Sequence, residues 1–385
     1  MPQIVQNSKN ILVSAGDVSG DVHAANLIKA IKEYAPDITI TAMGGERMKA
    51  ASDKFLINLV SKGASGFVEP FKKIPLWMRI LDMVKSYMST AQPACVITVD
   101  FYGLNHQILG IAKHRNIPAY YYVCPQVWAS RRYRAKTIVR LAKKMFVIFP
   151  FEKKIYTELG GDAVFLGNPL LDTIPEPRQK EYDGLRMKEW KIGFLPGSRP
   201  SEIAKHTKLF WDAFTEIRRT YPNAKAYLFA VPEVKDGVFA KLLGSEIPPG
   251  LTIVRETDFS ARADMDFVLT CSGTATLENA LMGLPMLVVY KTSWLTYKIA
   301  KLIIKVPYIS LVNILSKAAI VKEFIQKDAN APAIAKEVCS VLGNEKKYNT
   351  MRAKLLRLRG ELGEPGVAKR AAKMIVDEVF PPQTR

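Results

Sequence analysis

Groups suited to a nucleotide diphosphate are concentrated between Phe267 and Glu278. An apolar, strand-like run, Phe267–Thr270, leads into small residues, and a helical pattern starts at once. Such a turn directs free N–H groups and the positive helix end at one place, which suits phosphate groups. Glu278 is able to accept hydrogen bonds from the vicinal hydroxyls of a ribose. An ordinary strand–turn–helix with Glu278 near the helix N-terminus explains the pattern equally well.

A second turn of this kind, Leu195–Arg199, follows another apolar run. Pro196 and Gly197 shape the turn, and Arg199 is placed to offset the negative charge of a departing diphosphate. The alternative is a turn with an exposed arginine that has no ligand.

The first apolar run of the chain ends in a polar segment that contains glycine. Asp17, Ser19 and Asp21 are candidate ligand contacts there, and small neighbours let a ligand approach the backbone. The pattern is not the GxGxxG of dinucleotide-binding proteins. Capping of the following helix by Ser19 or Asp21 is the competing explanation.

Asp100 ends the apolar run Ala94–Asp100 and is a candidate general base. The carboxyl ends of parallel strands face the ligand, so a carboxylate there is able to take a proton from an attacking hydroxyl. An aspartate that only turns the chain is equally consistent with the sequence. The loop Cys124–Arg134 follows a later strand and contributes Trp128 and Arg131, and arginine suits bidentate phosphate contacts.

The composition points to an anionic partner. The chain has 385 residues and a formal net charge of +19, spread over amphipathic segments. This favours a phosphorylated ligand or an anionic membrane surface over nucleic acid. The four cysteines and four histidines are scattered, which predicts reduced thiols and no metal site. There is no signal-peptide pattern and no apolar run of the ~18–20 residues that a membrane span needs, so we expect a cytoplasmic protein.

Apolar runs alternate with helical patterns in both halves of the chain, which predicts an α/β fold with parallel sheets covered on both faces. The predicted strands are Asn10–Ser14, Ile38–Ala42, Ala94–Asp100, Ala119–Val123, Lys144–Phe149, Lys191–Leu195, Ala226–Ala230, Leu251–Val254, Phe267–Thr270 and Met286–Val289. We expect a Rossmann-like domain over residues 1–172, a linker over 173–186 and a second Rossmann-like domain over 187–345. Helices over residues 346–385 are expected to return to the first domain. Ligands of such folds bind at the C-terminal ends of the strands.

Residues 67–85 and 294–306 mix large apolar and basic side chains. Basic amphipathic helices with aromatic residues are able to lie in an anionic membrane interface. Core-facing helices with a solvated basic side are the alternative. In the first segment, the expected membrane contacts are Phe71, Leu76, Trp77, Ile80 and Leu81.

Taken together and in order, the motifs resemble those of the lipid-A-disaccharide synthase family, inverting glycosyltransferases of the GT-B type. The matching segments are Ala15–Asp21, Gly44–Met48, Pro125–Ala129, Gly167–Asp172, Leu195–Arg199, Ser272–Glu278, Tyr290–Lys291, Leu295–Tyr297 and Val306–Asn313. The resemblance implies two Rossmann-like domains whose parallel sheets face each other across a cleft. It implies that UDP-2,3-diacylglucosamine and 2,3-diacylglucosamine 1-phosphate (lipid X) react to lipid A disaccharide 1-phosphate and UDP. The family works at the cytoplasmic face of the inner membrane without a metal or cofactor, and a homodimer is compatible with the resemblance.

Residue roles follow from the resemblance by position. Asp100 matches the family's candidate base, while Arg199, Glu278 and Asn313 match donor-site residues, and we expect Asp100 and Arg199 to be catalytic. The expected substrate contacts are Asp17, Ser19, Gln126, Arg131, Ser198, Ser272, Gly273, Thr274, Thr276, Glu278, Tyr290 and Asn313.

The chain departs from the family pattern at a few positions. It has Asp17 in place of Glu, Tyr102–Gly103 in place of Pro–Asp, Ser130 in place of Trp, Asn168 in place of His and Val312 in place of Pro. The aspartate missing at Gly103 bears on acceptor binding. Because Asp100, Arg199 and Glu278 are retained, we expect an active enzyme.

Two other functions stay open at this point. One is a different GT-B enzyme, such as a UDP-N-acetylglucosamine 2-epimerase or the cell-wall N-acetylglucosaminyltransferase. An epimerase would need more clustered carboxylates and histidines, and the glycine-rich N-terminal loop of the cell-wall enzyme is missing. The other is a non-catalytic protein that binds a nucleotide or a lipid.

Overall fold

The computed structural model describes residues 9–62, 74–130, 132–178, 182, 189–232, 234–256, 258–294, 297 and 307–381. The chain forms two compact units, Met1–Asp172 with Leu362–Arg385, and Thr173–Glu361. Each unit contains one sheet in which all neighbouring strands run parallel. The predicted α/β class with two parallel-sheet domains is confirmed.

The first unit has a seven-stranded sheet in the order β3-β2-β1-β4-β5-β6-β7. Its strands are β1 Asn10–Ala15, β2 Thr39–Gly44, β3 Lys54–Asn58, β4 Cys95–Val99, β5 Ala119–Tyr122, β6 Lys144–Val147 and β7 Ala163–Phe165. Its helices up to residue 157 are α1 Val18–Tyr34, α2 Glu46–Ala51, α3 Leu59–Lys62, α4 Ile74–Ala91, α5 Tyr102–His114, α6 Val127–Ser130, α7 Tyr133–Leu141 and α8 Pro150–Thr157. The central strands are buried along almost their whole length, because helices cover both faces of the sheet.

The second unit has a six-stranded sheet in the order β10-β9-β8-β11-β12-β13. Its strands are β8 Lys191–Leu195, β9 Lys225–Phe229, β10 Leu251–Val254, β11 Phe267–Thr270, β12 Met286–Tyr290 and β13 Glu323–Ile325. Its helices are α9 Pro200–Thr220, α10 Asp236–Leu243, α11 Ser260–Ala263, α12 Thr274–Leu281, α13 Leu311–Ser316, α14 Ala331–Leu342 and α15 Glu345–Glu361.

A last helix, α16 (Val367–Val379), returns to the first unit. Its apolar face, which includes Ala371 and Ile375, is buried in one core with Ile28 of α1. The carboxylate of Asp172 accepts hydrogen bonds from the first N–H groups of this helix, at 2.6–2.9 Å. The helix is therefore fixed at the residue where the chain leaves the first unit.

Three strands, β3, β7 and β13, were not predicted, and each lies at an edge of its sheet. Their residues are mostly half-buried and include the charged Lys54 and Glu323. β3 and β13 lack the continuous apolar run of a strand that is covered on both sides, and β7 is only 3 residues long. Among the described helices, none is both long and apolar enough to cross a membrane.

Candidate active site

The sheet of the first unit reverses its strand order between β1 and β4, and two aspartates lie just beyond these strands. Ala15 of β1 pairs with Val99 of β4, so Asp17 and Asp100 both follow the carboxyl ends of neighbouring strands. Ligands of doubly wound sheets bind at such a reversal. The structure thus brings together two residues that the sequence places 83 positions apart, 17 and 100.

The pKa of Asp100 is raised to about 7, mainly by burial and further by the negative charge of Asp17. Its Oδ1 accepts a hydrogen bond from the N–H of Phe101 at 2.9 Å. This bond lowers the pKa of Asp100, but by less than burial and Asp17 together raise it. The ring of Phe101 lies over Gly16, where any Cβ would overlap it. A carboxylate that titrates near neutral pH is suited to accept a proton and release it again.

Asp17 also caps helix α1, since its Oδ1 accepts a hydrogen bond from the N–H of Gly20 at 2.7 Å. Burial raises the pKa of Asp17. Ser19 is half-buried in the first turn of the helix. The carboxylate of Asp21 is buried and accepts hydrogen bonds from N–H groups at the start of α2, so Asp21 is a capping residue.

The loop after β5 is held by a buried glutamate that the sequence did not single out. The indole N–H of Trp128 donates to Oε1 of Glu152 at 2.8 Å. Burial raises the pKa of Glu152 to about 7. Gln126 is half-buried in the same loop, and Arg131 lies outside the described residues.

The second sheet reverses its order between β8 and β11, and the two predicted phosphate turns follow these strands. Arg199 directly precedes helix α9, and its guanidinium lies 2.9 Å from Glu202. Glu202 also accepts hydrogen bonds from the N–H groups of Ser198 and Arg199, at 3.3 Å. The Arg199 side chain keeps 67% of its surface exposed, so its positive charge faces solvent at the mouth of the turn.

Gly273 and Thr274 form the turn after β11, and both are exposed. Gly273 has φ 152° and ψ −166°, a conformation essentially reserved for glycine. The hydroxyl of Ser272 donates to the carbonyl of Ile309 at 2.7 Å. Thr276 is fully buried, and its hydroxyl donates to the carbonyl of Gly273 at 2.8 Å. It shapes the turn, and its contact with a substrate stays a prediction.

Glu278 belongs to a buried group of charges in the second unit. Its Oε2 lies 2.6 Å from Nη1 of Arg262, and the same guanidinium contacts Glu256. Arg262 also lies over the rings of Phe229 and Phe259. Arg262 was not predicted, because only the folded structure brings it between Glu256 and Glu278, where it fixes the carboxylate of Glu278.

Asn313 joins helix α13 to the residues around the start of β13. Its side chain is fully buried, and its amide donates to the carbonyl of Val321 at 2.7 Å and to Glu323 at 2.9 Å. Its Oδ1 accepts a hydrogen bond from the N–H of Val321 at 3.0 Å. These contacts fix the position of Asn313, and its donor-site role stays a prediction.

His206 of α9 joins several loops of the second sheet and was not predicted. Its Nδ1 lies 2.7 Å from the carbonyl of Glu202, and its Nε2 accepts the N–H of Lys291 at 2.8 Å. Its ring stacks on Tyr290. Burial lowers the pKa of His206, so the neutral ring, with the proton on Nδ1, satisfies both contacts.

The predicted membrane residues do not share one environment. Ile80 is a correction: it is 3% exposed and lies inside the core of the first unit, so it cannot face a bilayer. Leu76, Trp77 and Leu81 are half-buried against that core. Phe71 lies outside the described residues.

Within the described part of the chain, no group of three or more His, Cys, Asp or Glu residues is placed to hold a metal ion. A Cβ at Gly103 would make only ordinary contacts with Phe101, so there is space for a Cβ at this position.

Known proteins match both the sequence and the fold. The sequence profile of the lipid-A-disaccharide synthetase family matches residues 11–378. A lipid-A-disaccharide synthase from Syntrophus aciditrophicus (strain SB) is 34% identical over 373 residues, 96% of this chain and 97% of the relative. Among solved structures, the UDP co-structure of S. aureus MnaA has a TM-score of 0.66 at 14% identity over 98% of both chains. CalG4, the calicheamicin glycosyltransferase, has a TM-score of 0.61 at 13% identity over 98% of this chain and 100% of that chain; at such identities, the likeness shows the fold alone.

Proposed function

The chain belongs to the lipid-A-disaccharide synthase family, and we propose that it transfers diacylglucosamine from UDP-2,3-diacylglucosamine to 2,3-diacylglucosamine 1-phosphate. The products are lipid A disaccharide 1-phosphate and UDP. Family membership makes the protein a glycosyltransferase of lipid A disaccharide synthesis with a UDP-sugar type of donor. The choice of these two acylated substrates is supported by the formal net charge of +19, because both substrates carry phosphate groups.

The observation that carries the mechanism is the position of Asp17 and Asp100 at the strand-order reversal of the first sheet. Burial and the charge of Asp17 raise the pKa of Asp100 to about 7, which matches the requirement for a general base at neutral pH. Asp100 takes the proton of the acceptor hydroxyl. At the same time, the oxygen of that hydroxyl forms a bond to the anomeric carbon of the donor. UDP leaves with the electron pair of the broken bond, and this single displacement inverts the configuration.

We assign UDP to the second unit. The exposed turn at Gly273 and Thr274 begins helix α12, and its N–H groups suit the diphosphate. Glu278, held by Arg262, accepts hydrogen bonds from the ribose hydroxyls. The exposed charge of Arg199 stabilises the negative charge that develops on the leaving diphosphate.

The acyl chains of both substrates place the reaction at a membrane surface, which we identify as the cytoplasmic face of the inner membrane. The start of helix α4 supports this assignment. Met78 is 59% exposed there, and the ring of Trp77 stacks on Phe101, the residue after Asp100, with centroids 6.0 Å apart. The exposed apolar side chain of Met78 thus directly follows a residue that packs on the neighbour of the candidate base.

A product assay with purified protein and both acylated substrates tests the proposal. We expect disaccharide and UDP in equal amounts, and we expect Asp100→Asn to reduce kcat by ~10²–10⁴-fold with unchanged UDP affinity. An Asp100→Asn variant within a few-fold of the wild-type kcat would reject Asp100 as the base. UDP binding without product would identify a binding protein, and epimerised UDP-sugar in the absence of acceptor would identify an epimerase.

A further inference from the structure

The backbone around the candidate base has an unusual conformation. Asp100 has φ +48° and Phe101 has φ +32°, so two consecutive residues with side chains occupy the left-handed region. Residues other than glycine avoid this region because Cβ crowds the backbone. Strained backbone of this kind persists only where surrounding contacts over-determine it.

Two side chains hold the carbonyl of Asp100 in this conformation. The hydroxyl of Tyr121 donates to it at 2.7 Å, and the amide of Asn105 donates to it at 3.0 Å. Asn105 also donates to the carbonyl of Val99 at 2.9 Å. Tyr121 comes from the neighbouring strand β5 and Asn105 from the first turn of α5, so the carbonyl is fixed from two independent elements.

The orientation of the Asn105 amide is itself fixed. The hydroxyl of Ser14, on β1, donates to Oδ1 of Asn105 at 3.0 Å. Ser14, Asn105 and Tyr121 are all fully buried. In such an environment an unpaired polar group is costly, so the network specifies one arrangement of the strand end.

We propose that Tyr121 and Asn105 are positioning residues that hold Asp100 in its left-handed conformation and so direct its carboxylate to the acceptor hydroxyl. Turning the peptide at this residue changes the direction of the side chain. A misplacement of about 1 Å at a reacting group lowers rates by up to ~10²-fold. This proposal rests on the assignment of Asp100 as the general base.

Tyr121→Phe tests it, because the substitution removes only the hydroxyl. Tyr122→Phe is the matched control: the Tyr122 hydroxyl is equally buried and has no hydrogen-bond partner among the described residues. We expect Tyr121→Phe to lower kcat by about tenfold or more, with KM for the UDP-sugar within about twofold of wild type. Tyr122→Phe should keep the wild-type kcat. Equal kcat values for the two variants would overturn the proposal.

A double substitution separates positioning from a general loss of structure. In the Asp100→Asn background, Tyr121→Phe should cause no further decrease in the residual rate, because this variant has no general base to position. A further tenfold decrease in that background would contradict the proposal. If Asp100→Asn alone keeps nearly the wild-type rate, the assignment of Asp100 as the general base is wrong. This outcome differs from one in which Asp100 is the base but Tyr121 does not position it.

Asn105→Ala provides a second variant if Tyr121→Phe folds poorly. The kcat is then normalised to the folded fraction from circular dichroism. A decrease in normalised kcat supports the positioning role. A normalised kcat equal to that of the wild type would show that the contacts stabilise only the fold and would overturn the proposal.

Discussion

Arg262 lies between Glu278 and Glu256, with its Nη1 2.6 Å from Oε2 of Glu278. Arg262 is 8% exposed, so its charge is balanced mainly by these two carboxylates. The ion pair fixes the orientation of Glu278 before any nucleotide arrives. A carboxylate that is already ordered loses little side-chain entropy on binding, which favours affinity.

Replacing Glu278 by Ala should weaken UDP binding by about 10- to 100-fold, because a hydrogen bond to a charged group contributes about 1.5–3 kcal/mol. Isothermal titration calorimetry measures this change. Glu256→Ala is the matched control, since it also removes one carboxylate from Arg262. If both variants lose the same UDP affinity, Glu278 acts only through the stability of the ion pairs and not on the ribose.

The charge of Asp17 should shift the pH at which the enzyme becomes active. Burial and Asp17 raise the pKa of Asp100 to about 7, and the base works only when ionised, so kcat/KM should fall as the pH drops through this value. Asp17→Asn removes a negative charge that disfavours ionisation, so the acid limb should move to lower pH. A pH profile of kcat/KM measures the shift.

Asp82→Asn serves as the control for that profile. Asp82 is an exposed carboxylate on α4 that pairs with Lys85, and its loss should leave the acid limb in place. An unchanged limb in Asp17→Asn would remove Asp17 as a cause of the raised pKa of Asp100.

Arg199→Ala should lower kcat by about 10²-fold while UDP affinity changes by only a few-fold, because its charge is needed most as the diphosphate departs. Arg219→Ala, in the last turn of helix α9, offers a matched comparison. Arg219 also pairs with a glutamate three residues away, Glu216, and its side chain is 73% exposed. Steady-state kinetics and calorimetry should show a kcat defect only in Arg199→Ala. A change in affinity without a change in kcat would assign Arg199 to ground-state binding.

Helix α4 allows membrane contact and core packing to be separated within three residues. Ile80→Ser should lower the free energy of unfolding by about 1.5–3 kcal/mol, because Ile80 is buried. Met78→Ser should leave stability within about 0.5 kcal/mol but reduce flotation with anionic liposomes. Denaturant unfolding and flotation assays measure the two effects. Unchanged flotation of the folded Met78→Ser variant would argue against membrane contact at this position.

The central strands were predictable because burial on both faces requires continuous apolar runs. Lys191–Leu195 and Phe267–Thr270, both in the interior of the second sheet, were predicted with their observed bounds. The edge strand Glu323–Ile325 was not, because half of its environment is solvent or loop. Sequence patterns therefore predict which segments are buried better than they predict which strands pair.

The candidate sites were predictable as far as the sequence places them at strand ends. Asp100 and Gly273 follow apolar runs, and this position is a property of local sequence. The internal hydrogen bonds of Thr276 and Asn313 were not predictable, because whether a polar side chain faces a ligand or the backbone depends on tertiary contacts. Glu152 was not predicted either, because its contact with Trp128, which lies 24 positions away, is formed only in the folded protein.

Helix α16 determines the order in which the two units complete their folding during synthesis. Its residues Ala371 and Ile375 complete the core of the first unit, although all of Thr173–Glu361 is translated before them. When only the first 172 residues have emerged from the ribosome, the sheet of the first unit therefore still lacks one of the helices that pack on it. We expect the intervening unit to fold first during translation, and a nascent first unit to expose apolar surface that chaperones recognise until the last helix emerges.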